Sequence, residues 1–492
     1  MHVTTRIVNG LYVDSVALMR VAEETRRLPD VLSATVLMAT DANRRLLAEA
    51  GLGSVEAEGA GPDDLIIAVS AKTSAAARGG LARAEELLAT RRGGGAAQAE
   101  ELPRSITAAA RRTPEATLAV VSVPGRYAIA EAHQALSSGL HVFLFSDGVP
   151  LDDEVRLKRR AQPRGLLVMG PECGTSMLNG VGVGFANVVR RGAVGLVGAS
   201  GTGLQEVTTL VHRLGAGVSH AFGTGGRDLH AAVGGVTTLQ ALALLAADPL
   251  TRVIVLVSKP AADEVAEVVL AAAGRLGKPV VACLLGWRGK VPPGVRATDT
   301  LEDAAVAAVE ALGVKARRLA APRPARRPRR GGRVHGLFTG GTLCEEARAL
   351  VGDAAGRFVD FGDAEYTRGR PHPMIDPTQR NQAIAATGDD PGCAVLLLDF
   401  VLGHSAHPDP AGAAAPAIRE ARARARRRRR ELQVVAHVVG TDEDPQRLTA
   451  QEATLRALDV ILCPSNRLAA LTARGLARGS ASRRPSYGRG ER

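Results

Sequence analysis

Residues 195–203 read Gly195-Leu196-Val197-Gly198-Ala199-Ser200-Gly201-Thr202-Gly203, and this segment indicates an α/β architecture. It begins as a short apolar strand, enters a glycine-rich turn and continues as a predicted helix over residues 204–214. Such a turn directs unpaired backbone N–H groups and the positive end of a helix towards one point, where an anion is stabilised. Because any tight strand-to-helix turn needs glycine, the pattern alone is a weak indicator.

A second motif upstream strengthens this interpretation. It reads Gly170-Pro171-Glu172-Cys173-Gly174-Thr175-Ser176 and follows the apolar residues 166–169. In parallel sheets, ligands bind at the carboxyl ends of the strands. The two segments together predict an acyl-phosphate site.

Apolar strands alternate with helices over most of the chain, a pattern that gives parallel βαβ units with right-handed crossovers. We predict an α/β fold in which several Rossmann-like and flavodoxin-like parallel-sheet domains follow one another. The strand spacing after residue 333 echoes that of residues 192–316, which indicates a divergent internal repeat. The predicted segments are a small N-terminal α/β module (1–95) of regulatory or assembly type, a Rossmann-like domain (105–191), a flavodoxin-like domain (192–316), an Arg/Pro linker (317–332), a second flavodoxin-like domain (333–474) and a disordered tail (475–492).

The formal net charge of +12 suggests a nucleic-acid partner, but the excess lies in arginine-rich runs at 317–333, 422–430 and 474–492. Such runs are commonly linkers, exposed helix faces and tails, and no nucleic-acid-binding motif interleaves aromatic residues with them. The amino terminus lacks an apolar signal core, and the uncharged residues 229–247 contain His, Thr and Gln. We therefore expect a cytoplasmic protein that binds neither nucleic acid nor membrane.

Cysteine and histidine spacing predicts no metal site. Five cysteines at irregular spacing give neither a disulfide framework nor paired metal ligands. His404 and His407 lie near Asp399 and Asp409, but prolines interrupt the helix that would align them, so a solvated loop is expected there.

Several longer motifs resemble a known family. Residues 116–315 resemble the α subunit of succinyl-CoA synthetase, and residues 333–470 resemble the carboxyl-terminal domain of its β subunit. Almost the whole chain resembles the FdrA family, fused acyl-CoA synthetase-like proteins of allantoin and purine catabolism. The matching motifs are Val-Asp-Ser-Val-Ala-Leu-Met (13–19), Leu-Leu-Val-Met-Gly-Pro-Glu-Cys-Gly-Thr-Ser (166–176), Phe-Ala-Asn-Val (185–188), Gly-Ala-Ser-Gly-Thr-Gly (198–203), Gly-Gly-Arg-Asp-Leu (225–229) and Gly-Arg-Pro-His-Pro-Met-Ile-Asp-Pro (369–377).

The resemblance implies two sets of binding residues. Coenzyme A contacts are expected in the crevice formed by three strand ends, at Val123, Pro124, Ser146, Asp147, Gly148, Gly170, Pro171 and Cys173. Phosphate contacts are expected at one helix start and, through the repeat, at a second, with the residues Ser200, Gly201, Thr202, Gly203, Thr339, Gly340, Gly341 and Thr342.

Two departures from the synthetase pattern change the expected chemistry. The synthetases relay phosphate through a histidine in a glycine-rich loop, whereas residues 287–293 here read Trp-Arg-Gly-Lys-Val-Pro-Pro. Lys259 stands near the place where the family has the carboxylate that orients this histidine, and an ammonium suits a directly bound phosphate. Since no ATP-grasp domain is visible either, this chain alone is not expected to activate an acid with ATP.

The resemblance and these departures leave three functions open. The first is acyl-CoA synthetase-like transfer of an acyl group through an acyl phosphate. The second is a subunit of an oxamate carbamoyltransferase, which converts oxalurate and phosphate to oxamate and carbamoyl phosphate. The third is a non-catalytic subunit that senses coenzyme A or serves as a scaffold. Separate partner subunits and an oligomer are expected.

A polar cluster in the last domain adds candidate catalytic residues. Arg370-Pro371-His372-Pro373 and Asp376 stand close in sequence, and Arg368 and Arg380 add cations that suit a dicarboxylate or phosphate. His372 is either a proton-transfer or ligand-binding group or a structural histidine. The predicted catalytic residues are Lys259, His372 and Arg370.

Three further motifs have both a functional and a structural interpretation. Cys173 either forms a thioester, with a pKa lowered by the adjacent turn, or packs in the turn. Arg227-Asp228 either resembles the synthetase Gly-Gly-Asp element or is an ion pair that fixes its loop. For His220, a buried histidine is favoured over a phosphoryl acceptor.

Overall fold

The structure is a computed structural model that describes residues 2–11, 13, 15–49, 51–93, 103–316, 319–322, 331–368 and 370–478. The chain divides into two compact units, Met1–Pro103 and Arg104–Arg492. Residues 317–318 and 323–330 of the predicted linker and 479–492 of the predicted tail lie outside the described residues. No helix in the described part of the chain is long and apolar enough to cross a membrane.

The first unit contains a three-stranded antiparallel sheet of order β1-β3-β2. The central strand, Leu65–Ala71, is buried along its whole length because helices cover both faces of the sheet. The elements are β1 (His2–Val8), α1 (Ser15–Arg26), β2 (Val31–Met38), α2 (Asp41–Glu49), α3 (Val55–Glu58), β3 (Leu65–Ala71) and α4 (Ser74–Gly93).

The second unit starts with a small parallel sheet of order β4-β5-β6. Its strands are short, and each ends in a turn that contains glycine or proline. The elements are α5 (Ile106–Arg112), β4 (Leu118–Val121), α6 (Gly125–Ser137), β5 (His141–Leu144), α7 (Leu151–Ala161) and β6 (Val168–Met169).

A seven-stranded sheet follows, of order β13-β12-β11-β9-β10-β7-β8. The two strands that come first in the chain, β7 and β8, form an antiparallel hairpin that was not predicted from the sequence. This sheet therefore begins before residue 192. The elements are β7 (Thr175–Leu178), β8 (Val181–Gly184), β9 (Arg191–Ala199), α8 (Gly201–Arg213), β10 (Val218–Gly223), α9 (Val236–Ala247), β11 (Val253–Ser258), α10 (Asp263–Ala273), β12 (Val280–Leu284), β13 (Val295–Ala297) and α11 (Leu301–Ala311).

The last sheet has five parallel strands in the order β15-β14-β16-β17-β18. Within each of the last two sheets, the parallel strands follow the flavodoxin-like order 2-1-3-4-5, in agreement with the predicted internal repeat. The elements are β14 (Arg333–Phe338), α12 (Gly341–Val351), β15 (Gly356–Asp360), α13 (Ala364–Thr367), α14 (Thr378–Ala386), β16 (Cys393–Val401), α15 (Pro410–Arg427), β17 (Gln433–Val439), α16 (Leu448–Arg456), β18 (Ile461–Cys463) and α17 (Asn466–Ala477).

The two repeats share one core, and each caps a helix of the other. Glu206 on α8 accepts a hydrogen bond of 3.1 Å from the backbone N–H of Asn466, at the start of α17. Glu346 on α12 accepts one of 2.7 Å from the backbone N–H of Leu301, at the start of α11. Because helix starts carry unpaired N–H groups, these two buried carboxylates join the repeats in a symmetric exchange.

Candidate functional site

The start of α8 is built around Ser200. This residue follows β9, and its Oγ accepts a hydrogen bond of 3.0 Å from the N–H of Gly203. A serine N-cap of this kind fixes the first turn of a helix. The helix therefore begins at Gly201, three residues before the predicted start. The N–H groups of Gly201 and Thr202 belong to the unpaired set at the helix start.

The equivalent turn of the second repeat is held from the opposite side. Asp399, on β16, accepts hydrogen bonds of 2.8 Å from the N–H groups of both Thr339 and Gly340. Gly340 is the N-cap residue of α12 and has no side chain with which to cap it. The first N–H groups of α12 consequently remain available for an anion.

The two helix starts meet at one place. The hydroxyls of Ser200 and Thr342 are 2.6 Å apart and hydrogen bonded, although the residues lie 142 positions apart in the chain. A Cβ atom at Gly340 would lie 2.9 Å from Oγ1 of Thr202, so only glycine fits there. All eight residues of the predicted phosphate set therefore belong to one locus.

Lys259 and Asp360 flank the start of α12. Lys259 directly follows β11, which pairs with β9 up to Ser258 and Ala199. Its Nζ lies 2.6 Å from the position that a Cβ atom would take at Gly341, and Oδ2 of Asp360 is also in contact with that position. An ammonium, a carboxyl group and an uncapped helix start thus converge.

Burial raises the pKa of Asp360 to about 6, against the charge of Lys259, which lowers it. Oδ1 of Asp360 accepts a hydrogen bond of 2.8 Å from the N–H of Gly362. Asp360 was not among the predicted site residues. Its position as an acidic residue at the carboxyl end of an apolar strand is the sequence feature that could have identified it.

His372 lies beside the same segment. A Cβ atom at Gly362 would be 2.8 Å from Nε2 of His372 and 3.1 Å from Oδ1 of Asp360. Nδ1 of His372 accepts a hydrogen bond of 3.2 Å from the N–H of Met374, so in the neutral ring Nε2 carries the proton. Burial, assisted by the charge of Lys259, lowers the pKa of His372 to about 4. At neutral pH this histidine is a neutral hydrogen-bond donor.

Two upstream segments, residues 170–176 and 185–188, also lie next to the site. The rings of Phe185 and His372 are 5.5 Å apart. A Cβ atom at Gly201 would lie 3.3 Å from Oγ1 of Thr175. The motif at 170–176 and the turn at 200–203 are therefore neighbours, as an acyl-phosphate site requires.

The three strand ends of the predicted coenzyme A crevice also come together. A Cβ atom at Gly125 would lie 2.6 Å from the carbonyl carbon of Gly148, and one at Gly170 would contact the carbonyl oxygen of Leu144. This places together the ends of β4, β5 and β6. Pro124 is the N-cap residue of α6 and makes no side-chain cap, which leaves N–H groups at another helix start. The predicted contacts Val123, Pro124, Ser146, Asp147, Gly148, Gly170, Pro171 and Cys173 lie in the segments that follow these three strands.

Four of these predicted contacts are buried, namely Ser146, Gly170, Pro171 and Cys173. Oγ of Ser146 donates to the carbonyl of Val121 at 3.4 Å. Cys173 is 2% exposed, and burial raises the pKa of its thiol to about 11. The expectation of a lowered pKa at Cys173 was wrong, because apolar side chains rather than the turn dominate its surroundings. The structure therefore supports the packing interpretation.

Arg370 lines a cavity of about 160 Å³ beside the His372 loop. Its wall also contains Tyr366, Gln379 and Gln382. Arg380 reaches this cavity too, but its guanidinium is an ion pair with Asp399 at 3.0 Å and is 2% exposed. The expectation that Arg380 supplies a ligand-binding cation was wrong, since its charge is neutralised within the fold.

Arg227 and Asp228 do not pair with each other. Asp228 accepts a hydrogen bond of 2.7 Å from Lys158 on α7. Arg227 donates one of 3.0 Å to Glu154 on the same helix. This buried network joins the small sheet to the larger one, so it corrects the predicted Arg227–Asp228 pair while keeping its structural role.

The remaining histidine candidates have structural partners. Nδ1 of His220 accepts a hydrogen bond of 3.0 Å from the N–H of Asn179. Nδ1 of His407 accepts one of 3.0 Å from the N–H of Asp409. Within the described ranges, no group of three or more His, Cys, Asp or Glu residues could hold a metal ion.

Three segments of the chain match known domain families. Residues 1–103 match the heavy metal-associated domain of AllF, residues 189–283 the CoA binding domain, and residues 337–476 the CoA-ligase domain. The CoA binding match covers β9–β12, whereas the predicted coenzyme A contacts lie at the ends of β4, β5 and β6. The residues of the first matched segment do not suit a soft heavy-metal ion. Residues 1–103 contain no cysteine and a single histidine, His2.

The chain is similar over nearly its whole length to YahF of Escherichia coli K12, an uncharacterized protein. The identity is 40% and the alignment spans 96% of this chain and 98% of YahF. Succinate–CoA ligase [ADP-forming] subunit alpha 2 of Archaeoglobus fulgidus is 29% identical over 38% of this chain and 63% of its own length. ADP-forming sulfoacetate-CoA ligase subunit SauD of Bilophila wadsworthia is 30% identical over 35% of this chain and 60% of its own. This chain thus covers less than two thirds of either ligase subunit.

Solved structures of acyl-CoA synthetases also align with the chain. One is dinucleotide forming acetyl-coenzyme A synthetase 1 of Ca. Korarchaeum cryptofilum, in complex with phosphate and ADP. The identity is 17%, the TM-score is 0.33, and the alignment covers 74% of this chain and 83% of that one.

Proposed function

The chain belongs to the FdrA-like family that includes YahF, within the succinyl-CoA synthetase superfamily, and we propose that it transfers an acyl group through an acyl phosphate. Inorganic phosphate, or the phosphate of the acyl phosphate, binds between the starts of α8 and α12. The observation that carries this proposal is that the starts of α8 and α12 are joined by the Ser200–Thr342 hydrogen bond and that Nζ of Lys259 lies beside the start of α12, since helix starts and an ammonium each interact favourably with a dianion.

Phosphate itself is the reactant in this proposal. The loop at 286–293 contains no histidine that could carry a phosphoryl group. His372 is held neutral, with Nδ1 occupied by the N–H of Met374. Its Nε2–H instead donates a hydrogen bond to an acyl or phosphate oxygen, which stabilises charge that develops during attack at the carbonyl.

Lys259 neutralises the phosphate, and the backbone N–H groups of Gly201, Thr202, Gly341 and Thr342 orient it. The hydroxyls of Ser200 and Thr342 hold the two helix starts together, because they bond to each other. Arg370 binds the carboxylate of the acid substrate from the adjoining cavity.

Coenzyme A, when bound, supplies a thiol that accepts the acyl group. The segments that follow β4, β5 and β6 suit it, because Pro124, Asp147 and Gly148 are exposed there and α6 starts without a side-chain cap. Pro124, Asp147 and Gly148 would hold it. The CoA binding match over β9–β12 supports a second placement, nearer the start of α8.

A carbamoyl group is the second candidate for the transferred acyl group. The family resemblance connects FdrA proteins with the conversion of oxalurate and phosphate to oxamate and carbamoyl phosphate. The cavity beside Arg370 is of a size for a small acid such as oxamate, which favours this candidate. We propose that the chain acts in the cytoplasm with separate partner subunits in an oligomer. The hydrogen bond between Ser200 and Thr342 and the position of Lys259 beside the start of α12 support a catalytic subunit over a purely scaffolding one.

Turnover assays by phosphorus NMR test the proposal. The purified protein, with lysate fractions from its host as a source of partners, is supplied with phosphate and either oxalurate or an acyl-CoA. We expect a new acyl phosphate resonance that disappears in Lys259→Met and persists in Lys290→Met, which alters an exposed lysine in the loop after β12. Equal turnover by both variants, or no acyl phosphate from any donor, would contradict the proposed function.

A further inference from the structure

We propose that Asp360 is a catalytic proton-transfer residue whose Oδ2 accepts a proton from the attacking phosphate and passes it to the leaving group. The inference rests on the proposed function. It assigns to Asp360 the proton transfer for which His372 was a candidate.

The two oxygens of Asp360 have different surroundings. Oδ1 accepts the hydrogen bond from the N–H of Gly362, at 2.8 Å, and so fixes the carboxyl plane. Oδ2 points to the start of α12, where it contacts the Cβ position of Gly341 beside Nζ of Lys259. Within the described part of the chain no hydrogen bond is made to Oδ2. One fixed and one free oxygen is the arrangement that a proton-transfer carboxyl group needs.

The neighbouring polar groups are committed to other partners. Asp399 accepts the N–H groups of Thr339 and Gly340 and pairs with Arg380. His372 has Nδ1 occupied and keeps a fixed proton on Nε2. Of the two carboxyl groups, Asp399 uses both oxygens in hydrogen bonds, whereas Asp360 uses only Oδ1 among the described residues.

Burial and the surrounding charges set the pKa of Asp360 close to neutral pH. Burial raises the pKa of its carboxyl, Lys259 lowers it, and the negative charges of Asp399 and Asp363 raise it again, to about 6. His372, the other titratable neighbour, is neutral at this pH. At neutral pH Asp360 is mostly ionised, so it can accept a proton and release it within the same turnover.

The proton balance closes without another reactant. Monohydrogen phosphate attacks the carbamoyl or acyl carbonyl carbon, and a P–O–C bond forms as its O–H proton moves to Oδ2. The bond from the carbonyl carbon to the leaving nitrogen or sulfur then breaks, and that atom takes the proton from Oδ2. Asp360 ends as the carboxylate with which it began.

The test compares wild type with Asp360→Asn, and with Asp363→Asn as a control on a nearby carboxylate that caps a short helix. Sulfate is the binding probe because its charge is constant over the pH range. We expect wild-type sulfate affinity to fall about tenfold between about pH 5 and pH 7.5, as one pKa unit of coupling implies, and Asp360→Asn to remove this change. A sulfate affinity that keeps its pH dependence in Asp360→Asn would overturn the inference.

Turnover provides the second readout. Asp360→Asn should lower kcat by about 10²–10⁴-fold while its phosphate affinity stays equal or rises, and the acid limb of the pH profile should disappear. Retention of kcat and of that limb would overturn the inference and leave the proposed function standing. Absence of wild-type turnover would overturn both, with the sulfate result still showing whether Asp360 faces the anion site.

Discussion

Ser200 and Thr342 share a hydrogen bond of 2.6 Å between their hydroxyls, and this bond joins the first turns of two helices from different repeats. Both side chains are almost completely buried. The bond brings together two glycine-rich turns, each of which alone would be an ordinary strand-to-helix connection, to form the proposed anion site. The candidate site is therefore a property of the packed repeats.

Gly341→Ala should weaken anion binding by at least about tenfold, because the added Cβ would clash with Oδ2 of Asp360 and lie 2.6 Å from Nζ of Lys259, which would displace both groups. Isothermal titration with phosphate measures the effect. Gly475→Ala is the matched control, since a Cβ there meets open space within α17. That control should raise stability by about 0.5–1 kcal/mol and leave phosphate binding unchanged. Normal phosphate affinity in Gly341→Ala would show that Lys259 does not contact the anion.

Glu346 should make the protein less stable as pH rises. Burial raises the pKa of its carboxyl to about 7, from an unfolded value of 4.5, so the folded state binds the proton more tightly. Its contribution is most favourable below about pH 4.5 and is lost progressively up to about pH 7, by about 3 kcal/mol. Urea unfolding of wild type and Glu346→Gln at several pH values measures this.

The glutamine variant should gain stability relative to wild type as pH rises through that range. Glu345→Gln is the control, because Glu345 is partly exposed and pairs with Arg348 on the same helix. Parallel curves for wild type and Glu346→Gln at all pH values would be inconsistent with a protonated Glu346.

Lys158→Met should destabilise the second unit by about 3–5 kcal/mol, because it leaves the buried carboxylates of Glu154 and Asp228 without their ammonium. Thermal unfolding and limited proteolysis of the small sheet report the loss. Arg156→Met, on the exposed face of the same helix, should change stability by less than about 1 kcal/mol. Similar stability for the two variants would mean that the network does not join the sheets.

Arg370→Gln should raise KM for the acid substrate by about tenfold or more and leave phosphate affinity unchanged, because its guanidinium lines the cavity apart from the helix starts. Arg368→Gln, at an exposed neighbouring position, serves as the control. Steady-state kinetics with each substrate varied in turn separates the two constants. A loss of phosphate affinity in Arg370→Gln, with KM for the acid unchanged, would place Arg370 at the anion site instead.

Local pattern was sufficient to predict apolar strands in both repeats. The apolar runs at 433–439 and 280–284 coincide with β17 and β12, and the repeat predicted the shared strand order. The hairpin of β7 and β8 was missed, because each strand is only four residues long and β8 contains two glycines, a residue that disfavours strands.

Contacts between residues that are distant in the chain could not be predicted from local sequence pattern. The partner of Arg227 on α7 lies 73 positions away, and the pairing of Ser200 with Thr342 depends on how the repeats pack. Hydrophobic periodicity reports secondary structure and does not show which distant residues come into contact. Asp360 could have been selected as an acidic strand end, but only packing shows that it faces Lys259.

Isothermal titration of the full chain with phosphate and with carbamoyl phosphate, on wild type, Lys259→Met and Lys290→Met, is the decisive measurement. We predict that wild type and Lys290→Met bind both ligands alike, and that Lys259→Met loses about tenfold or more in affinity for each, since a charge-assisted contact contributes about 1.5–3 kcal/mol. Lys259→Met that binds both ligands as tightly as wild type would contradict the anion site between α8 and α12.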